Sequence, residues 1–364
     1  MGVSNVRALI VRYALSSQPV IAVDLGGTQI RAAVVLPDGT RLARVDRRTP
    51  KEDGPEAVVA DCRDAARIAR DSVARDVADA IAGIGVSSPG PVDPKTGYVV
   101  EPPNLGPKFR DIPLAPELGS ALGLPAFLDR DTNVAALGEH AFGAARGEDD
   151  FIYLTVSTGV GGAIMTGGEL LHGPDGLAGE LGHVPVSLDG PRCGCGGVGH
   201  VEAYASGAGL AKLAKAAVDL GESAFLEARA REVGADQLSA VDVSAGEHAG
   251  DAACMALMTR ARRAVAVGCV GYVNAFNPHR IVIGGSIAEA EGERLLGEIR
   301  AAIRNEAFKV FERLVTVVPA GLGGDVSLAG AQPLVMSRLH GAAPTPSTAQ
   351  RSARPVAVPG GTRA

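Results

Sequence analysis

From position 19 the chain runs in short apolar stretches broken by polar, glycine-bearing turns. VIAVDL (Val20–Leu25), IRAAVVLP (30–37) and TRLARVD (40–46) are separated by Gly26-Gly27 and by Asp38-Gly39. Runs of this length between turn residues predict a three-strand meander. Helical spacing follows over 56–80, then the apolar run IAGIGV ending in Ser87-Ser88-Pro89-Gly90-Pro91, a proline-rich connection, and a short strand AFLD. The order β-β-β-α-β-α then starts again at Phe151. FIYLTV, GAIMTG and ELLHG are separated by Ser157-Thr158-Gly159-Val160-Gly161-Gly162 and by Gly167-Gly168. Helical periodicity returns over 202–220 and 251–274, followed by the strand RIVIGG, a helix over 289–308, a strand over 314–318 and a helix-like segment ending near Leu339. The pattern predicts a duplicated α/β chain.

Each copy sets a glycine turn between its first two strands, Asp24-Leu25-Gly26-Gly27-Thr28 in one and residues 157–162 in the other. Facing each other across a cleft, two such turns would clamp phosphate, because glycine lets backbone N–H groups approach an oxyanion. Two ordinary hairpins are the alternative. No GxxxxGK[ST] occurs in the chain. A GxGxxG does occur at Gly194, Gly196 and Gly199, but it lacks the strand-before, helix-after context of a dinucleotide fingerprint.

A length of 364 residues exceeds what one core usually spans and predicts two domains. The net charge of −6 leaves no footprint for a nucleic-acid partner. No window approaches the ~18 apolar residues of a membrane span, so no membrane association and a cytoplasmic location are expected. Cys62, Cys254 and Cys269 stand singly in apolar surroundings and read as inert buried thiols. Residues 341–364, rich in Pro, Ser, Thr and Arg, read as a disordered tail, and 1–18 as an N-terminal extension.

The densest chemistry lies between Glu180 and Glu202. Two of the seven histidines and two of the five cysteines, His183, Cys193, Cys195 and His200, fall between these two carboxylates. Thiolate and imidazole are zinc ligands, and four of them make a tetrahedral site. A metal-free loop with reduced cysteines is the rival reading.

In order along the chain stand Asp24-Leu25-Gly26-Gly27-Thr28, Ser88-Pro89-Gly90-Pro91-Val92-Asp93, Asn104-Leu105, Asp131-Thr132-Asn133, Thr158-Gly159-Val160-Gly161-Gly162, Glu180-Leu181-Gly182-His183 and Cys193-Gly194-Cys195-Gly196-Gly197. Over about 20–339 the chain thereby resembles the ROK-family sugar kinases of the bacterial glucokinase or hexokinase kind. The resemblance implies an actin-like ATPase fold with two ribonuclease-H-like domains around a central cleft. The division expected is a small domain over 19–130, joined by a returning helix over 325–340, and a large domain over 131–324 carrying the 180–202 loop.

The resemblance also implies roles. Asp24, Gly26, Gly27, Thr28, Thr158, Gly159, Gly161, Gly284 and Gly285 would hold ATP and its Mg²⁺. Asp131 would be the general base that takes the sugar hydroxyl proton. Gly90, Asn104, Asp131, Glu180, His183 and Glu202 would bind the hexose, and His183, Cys193, Cys195 and His200 a structural Zn²⁺. Family members are often dimers or tetramers, so a homo-oligomer is expected.

Three positions depart from the family pattern. Gln29 stands where many members carry Lys, so a phosphate contact is lost or passes to Arg31. Arg130 stands where the family more often has a sugar-contacting Asn, and its guanidinium either reaches a substrate hydroxyl or turns outward. His200 replaces the commoner third Cys. The expected activity is ATP-dependent phosphorylation of a hexose, glucose first, at the 6-hydroxyl. Fructose, mannose, allose or N-acetylmannosamine are alternative substrates. A sugar-sensing ROK regulator is the other alternative, disfavoured because only about 18 residues precede the first strand.

Overall fold

The computed structural model describes residues 18–309 and 315–340. The expected tail lies outside them, as does all but the last residue of the N-terminal extension. β1 (Val20–Leu25) is buried at every position, because it runs through the middle of a sheet covered on both faces. It pairs antiparallel with β2 (Gln29–Val35), which pairs with β3 (Arg41–Arg48), and parallel with β4 (Ile84–Ser88). After β4 comes a small hairpin of β5 (Val92–Asp93) and β6 (Tyr98–Val99), and then β7 (Ala126–Arg130) joins β4 in parallel. The sheet order is β3-β2-β1-β4-β7. β3 alternates partly covered and exposed residues, and its arginines give the sheet a charged edge that resists further strand pairing.

The second sheet repeats this plan. β8 (Phe151–Val156) is antiparallel to β9 (Val160–Thr166), which pairs with the short β10 (Glu169–Leu170). β11 (Arg280–Gly284) joins β8 in parallel and β12 (Thr316–Pro319) joins β11, giving the order β10-β9-β8-β11-β12. The expected duplication is therefore present strand for strand.

Period-two alternation gives each sheet two apolar faces. Ile21 and Val23 pack under the helices Pro55–Asp71 and Leu114–Leu122. Val20 and Ala22 pack instead against Leu328, Ala331 and Val335 of the helix Val326–Leu339. The second sheet sets Ile152 and Leu154 beneath a large helical layer that includes Ala252–Phe276 and Glu293–Glu306. Its other face, with Phe151 and Tyr153, meets Ala135 and Ala136 of the helix Asp131–Phe142. The two inner helices cross, and glycines make the crossing possible. A Cβ on Gly330 would lie 1.8 Å from the Val134 carbonyl oxygen, and one on Gly138 would lie 2.7 Å from that of Val326.

Several expected helices are divided. The 56–80 segment forms Pro55–Asp71 and Arg75–Asp79, separated where Ala74 turns extended. The 202–220 segment breaks at Ser206, whose hydroxyl accepts the Gly209 N–H and so caps the helix Gly207–Asp219. The 289–308 segment breaks at Gly292, at φ +52°. Residues 221–250, for which periodicity predicted nothing, hold Ala224–Val233 and Ala240–His248, capped by Ser223 and by a Ser239/Asp242 capping box. Cys62, Cys254 and Cys269 are buried free thiols, each pushed up by burial. Among the described residues no helix is long and apolar enough to cross a membrane.

Candidate active site and metal centre

The first glycine turn closes through a 2.8 Å bond from the Gly26 N–H to the Gln29 carbonyl. Asp24, at the end of β1 and 6% exposed, is fixed on both sides. Its Oδ1 accepts from the Ser87 hydroxyl at 2.7 Å, and its Oδ2 accepts from Arg31 Nε at 3.0 Å. Arg31 also donates to the Gly324 carbonyl, so this cation is engaged by Asp24 rather than standing free in place of the missing lysine at 29. Gly27 leaves no room for a side chain, since a Cβ there would lie 2.9 Å from the Asn104 carbonyl oxygen. Asn104 thus sits against the first turn. A cavity of about 420 Å³ borders the turn, lined by Gly27, Thr28, Arg48 and Lys51 among others.

The second turn is held from several sides. The Ser157 N–H donates to the Gly159 carbonyl at 2.9 Å, and the Ser157 and Ser286 hydroxyls meet at 2.9 Å. The latter bond ties the turn to Gly284 and Gly285, and Gly285 (φ +95°) is packed so closely that a Cβ would lie 2.5 Å from the Val156 carbonyl oxygen. Thr158 is exposed, and its carbonyl accepts the Ala208 N–H. A further attachment is Glu202, whose Oε2 accepts the Val160 N–H at 3.0 Å and would be met by a Cβ on Gly159 at 2.9 Å. Gly161 packs on Thr132, one residue beyond Asp131.

Asp131 opens its helix directly after β7. Its Oδ1 accepts the Thr132 N–H at 2.7 Å. The side chain is open to water yet walled by protein, and this crowding pushes its pKa up to about 6. Repulsion from Asp24 and Glu180 adds to the rise, while the Thr132 bond and Arg130 oppose it. A helix N-terminus favours the charged form, but desolvation outweighs it here.

Behind Asp131 lies a polar assembly the sequence reading missed. Asp129, 1% exposed, accepts from the Arg130 N–H and the Asn133 amide on Oδ1, and its Oδ2 lies 2.7 Å from His172 Nε2. Burial alone would raise this carboxyl, but these bonds hold it below the usual carboxylate range. The identities Asp129 and His172 were visible in the sequence, but the 43-residue separation hid their pairing. Arg130 turns inward: it is 3% exposed and forms an ion pair with Glu180.

His183, Cys193, Cys195 and His200 converge, with one ligand atom from each within 4.8 Å of all the others. Cys193 Sγ is 3.6 Å from His183 Nδ1, and Cys195 Sγ is 3.3 Å from His200 Nδ1. Zinc bonds of ~2.3 Å to sulfur and ~2.0–2.1 Å to nitrogen set a tetrahedral S–N edge of about 3.5 Å, so this donor set fits the ion. Gly197 is required here, as a Cβ would lie 2.2 Å from the His200 ring. The cluster also joins the two carboxylates that flank it in sequence. His183 Nε2 lies 3.9 Å from Glu180, and His183 Nδ1 lies 4.0 Å from Glu202.

Two sheets of one strand order, joined by crossing helices and each contributing a glycine turn, define an actin-like ATPase fold. The ROK family model matches residues 20–338, and the chain belongs to the ROK family. It is similar to the glucokinase of Thermotoga maritima, 34% identical over 321 residues that cover 88% of this chain and 98% of the relative. It is also similar to the N-acetylmannosamine kinase of Shigella flexneri, 35% identical over 292 residues covering 80% and 91% of the two chains. A crystal structure of a ROK family glucokinase from Streptomyces griseus in complex with glucose and AMPPNP superposes with a TM-score of 0.70 at 32% identity, covering 87% of this chain and 98% of that one.

Proposed function

We propose that this protein is an ATP-dependent hexose kinase that phosphorylates the 6-hydroxyl, with glucose as its first substrate and Asp131 as general base. The observation that carries the reading is Asp131 itself: a carboxylate at a strand-to-helix junction, within electrostatic reach of both Asp24 and Glu180. On this reading the hexose lies against Glu180, His183, Glu202, Asn104 and Gly90. The triphosphate lies along Gly26, Gly27, Thr28, Thr158, Gly159 and Gly161, with the adenosine beside Gly284 and Gly285. Asp131 accepts the proton as the sugar oxygen bonds to the γ-phosphorus and the bond to the β-phosphate oxygen breaks, releasing ADP. Asp24 is the carboxylate available to the Mg²⁺ of MgATP, an ion that neutralises charge on the phosphates.

Zinc in the His183/Cys193/Cys195/His200 site is structural: it braces the loop so that Glu180 and Glu202 converge on His183. The same reading treats 19–130 with 325–340, and 131–324, as two bodies that close on the substrates, in a cytoplasmic homo-oligomer. The test is ADP release across a panel of hexoses with ATP, repeated with D131A. The substitution should lower kcat by roughly 10²–10⁴; a rate within a few fold of the unsubstituted enzyme would exclude Asp131 as the base. Hexose binding without ADP release from any hexose would favour a sugar-sensing regulator.

A further inference from the structure

Arg130 immediately precedes the proposed base, yet its charge is turned away from solvent. At 3% exposure an unpaired guanidinium would be strongly unfavourable, so its partners determine its role. Nη1 donates to Glu180 Oε1 and Nη2 to the Ala178 carbonyl, with a longer 3.4 Å contact from Nη2 to Asn133 Oδ1. Among the described residues Glu180 is the only carboxylate within ion-pair distance of it.

The side chain reaches these partners through a passage made by two glycines from separate loops. A Cβ on Gly90 would come within 3.0 Å of Arg130 Cδ, and a Cβ on Gly179 within 3.0 Å of Nη2. Gly179 also holds φ +90°, which other residues rarely adopt. The arrangement therefore involves the loop after β4, the strand end of β7 and the 178–180 segment together. Glu180 itself is 46% exposed in its side chain. Without a tether, a half-exposed glutamate samples several rotamers and loses conformational entropy when a ligand fixes it.

We propose that Arg130 is a positioning residue that fixes the Glu180 carboxylate before the sugar arrives, linking the sugar loop to the strand end that carries Asp131. This rests on the reading of Glu180 as a sugar ligand. One carboxylate oxygen is taken by Nη1, and the remaining acceptor sites are presented in a fixed plane to vicinal hydroxyls. Arg130 acts on the sugar through Glu180, so its effect on affinity belongs to sugar binding and not to ATP binding.

The test is a double-substitution cycle on the full chain, with R130A, R130Q, R130K, E180A and R130A/E180A. KM for glucose and for ATP is measured separately, and melting curves monitor folding. R130A and R130Q are expected to raise the glucose KM by at least about tenfold and to leave the ATP KM within about threefold. R130K, which keeps the charge but loses the fork to Ala178, should fall between them and the unsubstituted enzyme. Adding R130A to E180A should change the glucose KM by less than about twofold, because the residue it acts through is gone. A glucose KM that rises in E180A but stays within about twofold in R130Q overturns the proposal, as do losses that multiply in the double variant. If R130A does not fold, the less drastic R130Q and its pairing with E180A carry the same criteria. If E180A itself leaves the glucose KM unchanged, the sugar pocket has been misplaced and the proposal falls with it.

Discussion

Asp131 is the residue at which environment and chemistry meet most directly. An ordinary aspartate titrates near 3.8, while crowding at the head of its helix pushes this one up to about 6. A general base works only when ionised, so a raised pKa moves the acid limit of activity upward. With glucose and MgATP, kcat/KM should fall about tenfold per pH unit below about pH 6 and be level above it. A pH–rate profile checks this, and an acid limb near pH 4 would mean that desolvation does not govern this carboxylate. The neighbouring residue shows the limit of sequence reading. That position 130 is an arginine was plain, but its inward course depends on Gly90 and Gly179, which lie 40 and 49 positions away in the chain.

At the scale of elements, the 183–200 loop has little regular structure of its own. Beyond the short 3-10 turn Leu181–His183, isolated bridges pair Pro185 with His200 and Arg192 with Val198. A segment so poor in ladder bonds relies on its cross-link, and that dependence is measurable. The purified protein should carry about one zinc per chain, with C195S sharply reducing it. Strong chelation should lower the melting temperature and raise the glucose KM together, since Glu180 and Glu202 are held at either end of the loop. Metal analysis near zero on protein prepared without chelator would remove the zinc assignment. The ligands of this loop could be read from the sequence because they cluster within 18 residues. The helices of 221–250 could not be read from periodicity: Ala240–His248 buries only Val243 and Gly246. Their signal lay in the caps Ser223, Ser239 and Asp242, not in an apolar stripe.

At the scale of the whole molecule, the duplication was legible because each half repeats its glycine turn between its first two strands, whereas the way the halves meet was not. That meeting depends on contacts between the helices Asp131–Phe142 and Val326–Leu339, nearly 200 residues apart. Glu139, fully buried, reinforces it by accepting the N–H groups of Ala144, Gly321 and Leu322. The crossing itself requires absence of a side chain at Gly330, where a Cβ would stand 1.8 Å from the Val134 carbonyl oxygen. Backbone cannot yield there without separating the helices, so G330A should destabilise the protein by about 1–3 kcal/mol or more. It should also depress kcat, because Asp131 heads one of the two displaced helices. Gly271 provides the opposite case within a helix, being exposed with nothing within 4 Å of an added Cβ. There the main effect of alanine is to reduce the freedom of the unfolded chain, so G271A should stabilise by about 0.4–1 kcal/mol with activity unchanged. Denaturant melts of both variants decide the matter: equal and small effects would mean that the two sheets are not held together through this crossing.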